Sequence, residues 1–109
     1  MPFSEALASR LRTALQGIPG IVEKKMFGGL AFMVEGHMCC GVINDELMVR
    51  VGPDNYSACL ELPGAREMDF TGKPLRGFIY VSEEGFSTAS ALQAWVERAL
   101  AFVGTLPPK

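Results

Sequence analysis

The sequence predicts a two-layer α+β domain in which an antiparallel sheet of about five to six strands packs against helices. Three observations support this fold. Apolar residues recur at helical spacing near both ends of the chain, residues 21–51 alternate with the two-residue period of strands, and short turn signals separate those strands. At 109 residues, 49% hydrophobic and 20% charged, the chain fits one globular domain covering residues 1–109.

The first element is a predicted helix from about Ser4 to Gln16. Ser4 suits the N-cap, and Glu5 suits the positive end of the helix dipole. Gly17, followed by a Pro-Gly pair, predicts the end of the helix. The predicted buried stripe consists of Leu7, Leu11, Ala14 and Leu15.

Residues 21–51 are predicted to form a four-stranded antiparallel meander. The turn signals between the strands are Gly28-Gly29, Glu35-Gly36 and Asn44-Asp45. The last strand alternates cleanly, with Leu47, Val49 and Val51 on one face and Met48 and Arg50 on the other. The segment LAFMV at 30–34 is apolar on both faces, which indicates cover on both sides or contact with a partner chain.

The glycine pair Gly28-Gly29 raises the alternative of a phosphate-binding loop. A Walker A loop needs Lys and Ser or Thr after its last glycine and then a helix, whereas a strand pattern follows here. We therefore interpret Gly28, Gly29 and Gly36 as structural turn residues, because glycine reaches positive φ without a steric conflict.

The second half of the chain is predicted to contain two helices and two strands. A short helix begins with Pro53 at its first position and ends near Leu62. The strand candidates REMDF and GFIYVS, joined by TGKPLRG, follow. The last helix runs from its predicted cap, Ser87, to Val103, and its predicted buried stripe is Leu92, Trp95, Val96, Ala99, Leu100 and Val103.

Composition limits the class of protein. The net charge is −2, whereas a domain that mainly grips phosphate is normally more basic. Charged residues interrupt the N-terminus where a secretory signal needs an apolar run, and the longest apolar run is too short to span a bilayer. Three cysteines, two of them adjacent, suit reduced thiols. We expect a cytoplasmic protein without a membrane partner.

A thiol or metal site is the only chemical cluster that the residues suggest. On a regular strand His37 and Cys39 share a face and Cys40 points the other way, so a zinc ion would also need Cys59 or a carboxylate. A Cys-His nucleophile would lack an orienting acid and an oxyanion hole. Because free cysteine is usually buried, we favour a core role and predict no metal, no cofactor and no catalytic residue. The acidic pair Glu83-Glu84 is interpreted as a solvated turn.

Several stretches occur in an order that resembles a known family. They are Met26-Phe27-Gly28-Gly29, the turn glycine Gly36, LMVRV at 47–51, PGAREMDFTGKPLRG at 63–77, and Trp95 within LQAWVERAL. Together, from about Leu7 to Val103, they resemble the TfoX/Sxy N-terminal domain family, and the chain is similar to a stand-alone N-terminal module.

The resemblance implies a two-layer α+β fold with an antiparallel sheet. The founding members are bacterial regulators of natural competence that carry a second, C-terminal domain and are thought to work with the cyclic-AMP receptor protein. The resemblance implies no established catalytic residues.

The leading hypothesis is therefore a non-enzymatic regulatory domain that docks onto a protein partner, such as a transcription factor, or onto a second copy. Met26, Phe27, Ala31 and Met33 would form the apolar contact surface. The alternative is direct DNA binding through a local basic surface made of Lys24, Lys25, Arg50, Lys73 and Arg76. A small thiol or metal protein using His37, Cys39 and Cys59 is the third hypothesis.

Overall fold

The computed structural model describes residues 4–26, 28–67 and 77–107, excluding the side chain of Met26. The elements are helix α1 (Glu5–Ala14), strands β1 (Ile21–Met26), β2 (Gly29–Val34), β3 (His37–Ile43) and β4 (Glu46–Arg50), helix α2 (Tyr56–Leu60), strands β5 (Ala65–Glu67) and β6 (Phe78–Val81), a 3₁₀ turn (Glu83–Gly85) and helix α3 (Ala89–Val103). The predicted α+β fold is confirmed.

The six strands form one antiparallel sheet in the order β1-β2-β3-β4-β6-β5. Helix α3 lies against β3 and β4, α1 contacts α3 and β3, and α2 contacts β5 and β6. All three helices contribute to the same core, which also takes one face of the sheet. We call that side the helix face and the opposite side the outer face.

Local capping sets the helix ends, and it corrects two predictions. The N–H of Leu7 donates to the Ser4 hydroxyl at 3.2 Å, so α1 starts as predicted. The cap of α3 is Thr88 rather than Ser87, because the Thr88 hydroxyl accepts from the N–H of Ala91 at 3.1 Å. Pro53 does not open α2: it lies in a turn, and α2 begins only at Tyr56.

Tight connections link the first three strands. Met26 pairs with Gly29 across the first hairpin, and Gly28 has a φ of 78°. In the second hairpin, Glu35 and Gly36 have φ values of 50° and 88°, and two successive positive values are typical of a type I′ turn. Gly29 has no positive φ and is the first residue of β2, where an added Cβ would meet the carbonyl oxygen of Val42.

The outer face has a second, smaller apolar cluster, although no described helix lies over it. Buried Met48 and Tyr80 form its centre, with three partly buried neighbours, Met38, Ile43 and Phe78. The register places one row across all six strands, and its residues are Lys24, Ala31, Gly41, Met48, Tyr80 and Arg66. The centre of this row is not accessible at the surface, because Ala31, Gly41 and Met48 are buried.

In the described ranges, no helix combines the length and the apolarity that a membrane crossing would require.

Candidate interaction surface

Strand β1 is an edge of the sheet, and it carries the longest run of exposed residues in any strand that the structure describes. Residues 22–25 are all exposed, and β2 is the only described strand that pairs with β1. In an edge strand, every second residue directs its N–H and C=O groups away from the sheet. The edge therefore offers a row of backbone donors and acceptors together with four accessible side chains.

The charge of this edge is positive because its one acid is already paired. Arg12 of α1 makes a bidentate contact with Glu23, through Nε to Oε2 at 2.8 Å and through Nη2 to Oε1 at 2.9 Å. Neither Lys24 nor Lys25 makes a salt bridge or hydrogen bond with another described residue. The two ammonium groups are left for solvent or for a partner.

The two lysines project from opposite faces of the sheet. Lys24 pairs with Ala31 and lies on the outer face, whereas Lys25 pairs with Leu30 and lies on the helix face. Glu23 shares the helix face with Lys25, which is the side on which Arg12 reaches it. A binding partner that contacts both lysines must therefore lie along the edge of the sheet rather than over one of its faces.

Replacement of Glu23 by Gln is expected to cost about 0.2–1 kcal/mol of stability at neutral pH, because the ion pair is largely exposed. The hydrogen bond from Arg12 holds the pKa of Glu23 below its ordinary value of 4.5. A carboxylate with a lowered folded-state pKa stabilises the fold above pH 4.5, and this contribution disappears as the pH falls through the lower value.

Urea unfolding of the wild type and the Glu23→Gln variant at pH 7 and near pH 3 checks this result. The difference between the two proteins should shrink at the lower pH. An equal difference at both pH values would show that the ion pair is not its cause.

A short apolar strip continues from β1 across the next two strands. Val22 is 60% exposed, and it pairs with Met33, which in turn pairs with Met38. The two methionines are half-buried. Sequence reasoning chose Met33 but missed Val22 and Met38, although Val22 alternates with Lys24 along the strand. The expectation for Ala31 is wrong: its side chain is 0% exposed and cannot contact a partner.

Arg50 lies apart from the lysine pair. It is half-buried on β4, with its guanidinium carbon 5.3 Å from the ring centres of both Phe78 and Phe102. β4 is three strand spacings from β1, or about 14 Å. Lys24, Lys25 and Arg50 therefore do not form one compact basic patch. The other candidates, Phe27, Lys73, Arg76 and the side chain of Met26, lie outside the described residues.

A register irregularity corrects the predicted arrangement of the cysteines. Met33 pairs with Met38 but Phe32 pairs with Cys40, so β3 holds one extra residue opposite β2. Because this bulge interrupts the alternation, Cys39 and Cys40 both lie in the main core instead of on opposite faces. The hydrogen bond between the two thiols lowers the pKa of Cys39 and raises that of Cys40, and burial raises it further.

Burial is expected to dominate the reactivity of the thiols. Cys39 and Cys40 are inaccessible and Cys59 is buried on α2, where desolvation raises the pKa of its thiol. In native protein at neutral pH, each should react with iodoacetamide more slowly than a free thiol, and all three should react once urea unfolds the chain. A cysteine that reacts faster than a free thiol in the native protein would instead support the nucleophile hypothesis.

His37 is buried and has a structural contact. Its Nε2 lies 2.6 Å from the carbonyl oxygen of Pro107, to which Nε2–H donates, so the ring holds the C-terminal segment against the start of β3. Within the described ranges, no three His, Cys, Asp or Glu side chains are grouped so that they could hold a metal ion.

A surface depression of about 360 Å³ lies between the start of α1 and the 3₁₀ turn. Its cation, Arg10, donates to the carbonyl oxygens of Phe86 at 2.7 Å and Thr88 at 3.3 Å. Asp45 and Glu83 also line it, so the charges are mixed. Glu83 and Glu84 are both exposed. Ser4 and Ser87 also line the depression, but no described hydrogen bond joins either hydroxyl to Asp45 or Glu83 as an activated nucleophile would require.

Comparison with known proteins gives one family. No match was found among curated proteins or among solved structures. The family model described as the TfoX N-terminal domain matches residues 13–103, which include all the described strands and the whole of α3 but only the last two residues of α1. The chain therefore belongs to the TfoX N-terminal domain family.

Proposed function

We propose that this domain is a non-enzymatic regulatory module that docks onto a partner protein and, through that partner, influences transcription. The observation that carries the proposal is the exposed edge strand β1, where Lys24 and Lys25 lack acidic partners among the described residues and Val22 is exposed beside them. Membership of the TfoX N-terminal domain family supports a regulatory role by analogy with the competence regulators.

Three properties make this edge a suitable docking surface. Unpaired backbone groups give directional hydrogen bonds, the lysines add charge selectivity, and the strip of Val22, Met33 and Met38 supplies apolar area. Methionine adapts its shape easily, so it suits a surface that receives another protein. The strip is small, and we therefore expect a transient complex rather than a permanent one.

Photocrosslinking in the native cell tests the proposal. A benzophenone amino acid at position 24 is expected to capture a partner protein, whereas the same group at the exposed position 93 of α3 should not. Transcript profiles should change on deletion of the gene, and Lys24→Gln combined with Lys25→Gln should reproduce much of that change. The proposal fails if position 24 captures no protein, or if deletion alters no transcript.

Direct DNA binding is the competing outcome of the same lysine pair. It predicts a complex in a low-salt mobility-shift assay, with affinity that falls steeply as salt rises and that weakens in Lys24→Ala. The net charge of −2 and the separation of Arg50 from the lysines argue against it. A salt-sensitive complex combined with no captured protein would replace the docking proposal.

A further inference from the structure

We propose that the occupant of β1 is an extended acidic segment of the partner protein, which adds to the sheet as a seventh strand beside β1. This inference rests on the proposed function, because it names the chemistry of the partner at the same surface. It follows from the two edges of the sheet, from the faces on which the edge side chains lie, and from the poor fit of β1 to a second copy of itself.

The two edges of the sheet differ in what they offer to an added strand. β5 has three described residues, whereas β1 has six and thus a row of backbone groups long enough for a stable ladder. The exposure of residues 22–25 shows that no described element covers β1. Strand addition therefore belongs at β1 rather than at β5.

The side chains of β1 specify what the added strand should carry. Residues directly opposite each other in adjacent strands share a face and interact. Lys24 needs an acidic neighbour on the outer face, Lys25 needs one on the helix face, and Val22 favours an apolar neighbour. Because Glu23 already forms an ion pair with Arg12, a neutral polar residue suits the position opposite it in the added strand. Two adjacent carboxylates, one for each face, followed by a neutral and then an apolar residue, meet these requirements.

A second copy of the chain does not supply the neighbouring side chains that β1 requires. Consider two copies of the chain whose β1 strands pair antiparallel, with the helices of both copies on the same side of the joined sheet. Residues directly opposite each other must then share a face of the sheet. The two-fold axis that relates the copies therefore passes between two identical residues. An axis at Lys24 or Lys25 opposes two lysines, an axis at Glu23 opposes two glutamates, and an axis at Val22 leaves both lysines without an acidic residue opposite them. Like charges directly opposite destabilise a pairing, and lysines on an edge oppose self-association.

A synthetic peptide provides the test. The probe is a blocked peptide containing Val-Glu-Glu-Thr-Ile-Val between serine pairs, which in the antiparallel orientation places its glutamates opposite Lys25 and Lys24. Binding to the full chain is followed by NMR. We expect shifts and slower hydrogen exchange concentrated in the amides of β1, at residues 21–26, with smaller effects in β2.

Two control peptides separate backbone pairing from charge. The same peptide with alternate backbone nitrogens methylated along its pairing edge cannot donate to β1 and should lose its binding. A peptide with both glutamates replaced by glutamine should bind about tenfold more weakly, as expected for the loss of two cross-strand charge pairs. Equal binding by either control overturns the corresponding part of the proposal.

Matched variants of the protein complete the test. Lys24→Gln with Lys25→Gln should weaken binding of the acidic peptide about tenfold. Ser57→Glu with Gln93→Glu makes the same change in net charge at exposed positions on α2 and α3, and it should leave binding unchanged. Equal weakening in both variants would show that only the total charge matters, and would overturn the charge pairing at β1.

The failure of this inference is distinguishable from that of the proposed function. If a partner is captured in the cell but the acidic peptide shifts no β1 amide at about 1 mM, strand addition is wrong and docking stands. If the peptide adds to β1 but no partner is captured, the edge has the inferred chemistry and the regulatory proposal fails. A light-scattering mass of a dimer, with slower hydrogen exchange of the β1 amides as the protein concentration rises, would instead assign the edge to a second copy.

Discussion

Trp95→Ala is expected to lower the free energy of unfolding by about 3–5 kcal/mol, the range measured when buried aromatic residues are truncated. Trp95 is 2% exposed in the core beneath α3, and its indole N–H donates to the carbonyl oxygen of Gly85 at 3.1 Å. The variant loses a large apolar contact and leaves that carbonyl without its donor. The urea midpoint should fall by roughly 2 M for a slope of about 2 kcal/mol/M.

Two variants on α3 separate the contributions of Trp95. Trp95→Phe keeps much of the apolar volume but removes the donor, so we expect a smaller loss of about 1–2 kcal/mol. Gln93→Ala changes an exposed residue on the same helix and should leave the midpoint nearly unchanged. A small effect of Trp95→Ala would mean that the ring does not connect α3 to the 3₁₀ turn, and the assigned core would be wrong at that point.

This prediction also bears on what the family motif means in this chain. Trp95 is one of the residues that carry the resemblance, and its helical spacing predicted a core position. Its burial and its contact with Gly85 favour a structural role. A motif residue that holds the helix layer on the sheet says more about the fold than about the partner.

Local patterns predicted the elements because each carries its own period and its own stop signals. Residues 5–14 repeat at helical spacing and residues 21–50 at strand spacing, and glycine-containing turns lie between several of them. The predictions were wrong where a single residue determines the boundary of an element, as at the N-cap of α3. Ser87 and Thr88 can both act as caps, and only the backbone geometry selects Thr88.

The arrangement of the thiols was beyond local reasoning for a different reason. Alternation along β3 holds only while its register with β2 is regular, and the bulge beside Cys39 is a property of the pair of strands. The same limit applies to the interaction surface. Lys24 and Lys25 could be chosen from their charge, but the strand order alone makes β1 an edge and separates it from Arg50.

The pairing of Glu23 with Arg12 was likewise not visible from sequence. The two residues are eleven positions apart and belong to different elements, so their contact depends on how α1 lies on the sheet. Without that contact the edge would carry one acid and two bases. With it, the charge left for a partner is that of the two lysines, and this difference is what makes an acidic occupant the better fit.

Gly41→Val is expected to destabilise the fold by about 3 kcal/mol, near the upper end of the usual cost of overpacking. An added Cβ at this position in β3 would lie 2.5 Å from the carbonyl oxygen of Leu30, 2.9 Å from Cε of Met48 and 3.1 Å from Cα of Ala31. Met48 can change its rotamer, but the backbone of β2 can move only if the sheet distorts. Valine is favourable in strands, so its intrinsic preference works against the expected loss and makes the result diagnostic.

Gly17→Ala is the contrasting case. Its φ of 88° disfavours a side chain, but nothing lies within 4 Å of the added Cβ, so only the conformational strain of about 1–2 kcal/mol should appear. Urea unfolding should therefore show a larger loss of unfolding free energy for Gly41→Val than for Gly17→Ala, although Gly41 does not have a positive φ. If Gly17→Ala costs as much or more, then Met48 does not close the outer face over Gly41, and that face would have to be reconsidered as an open contact surface.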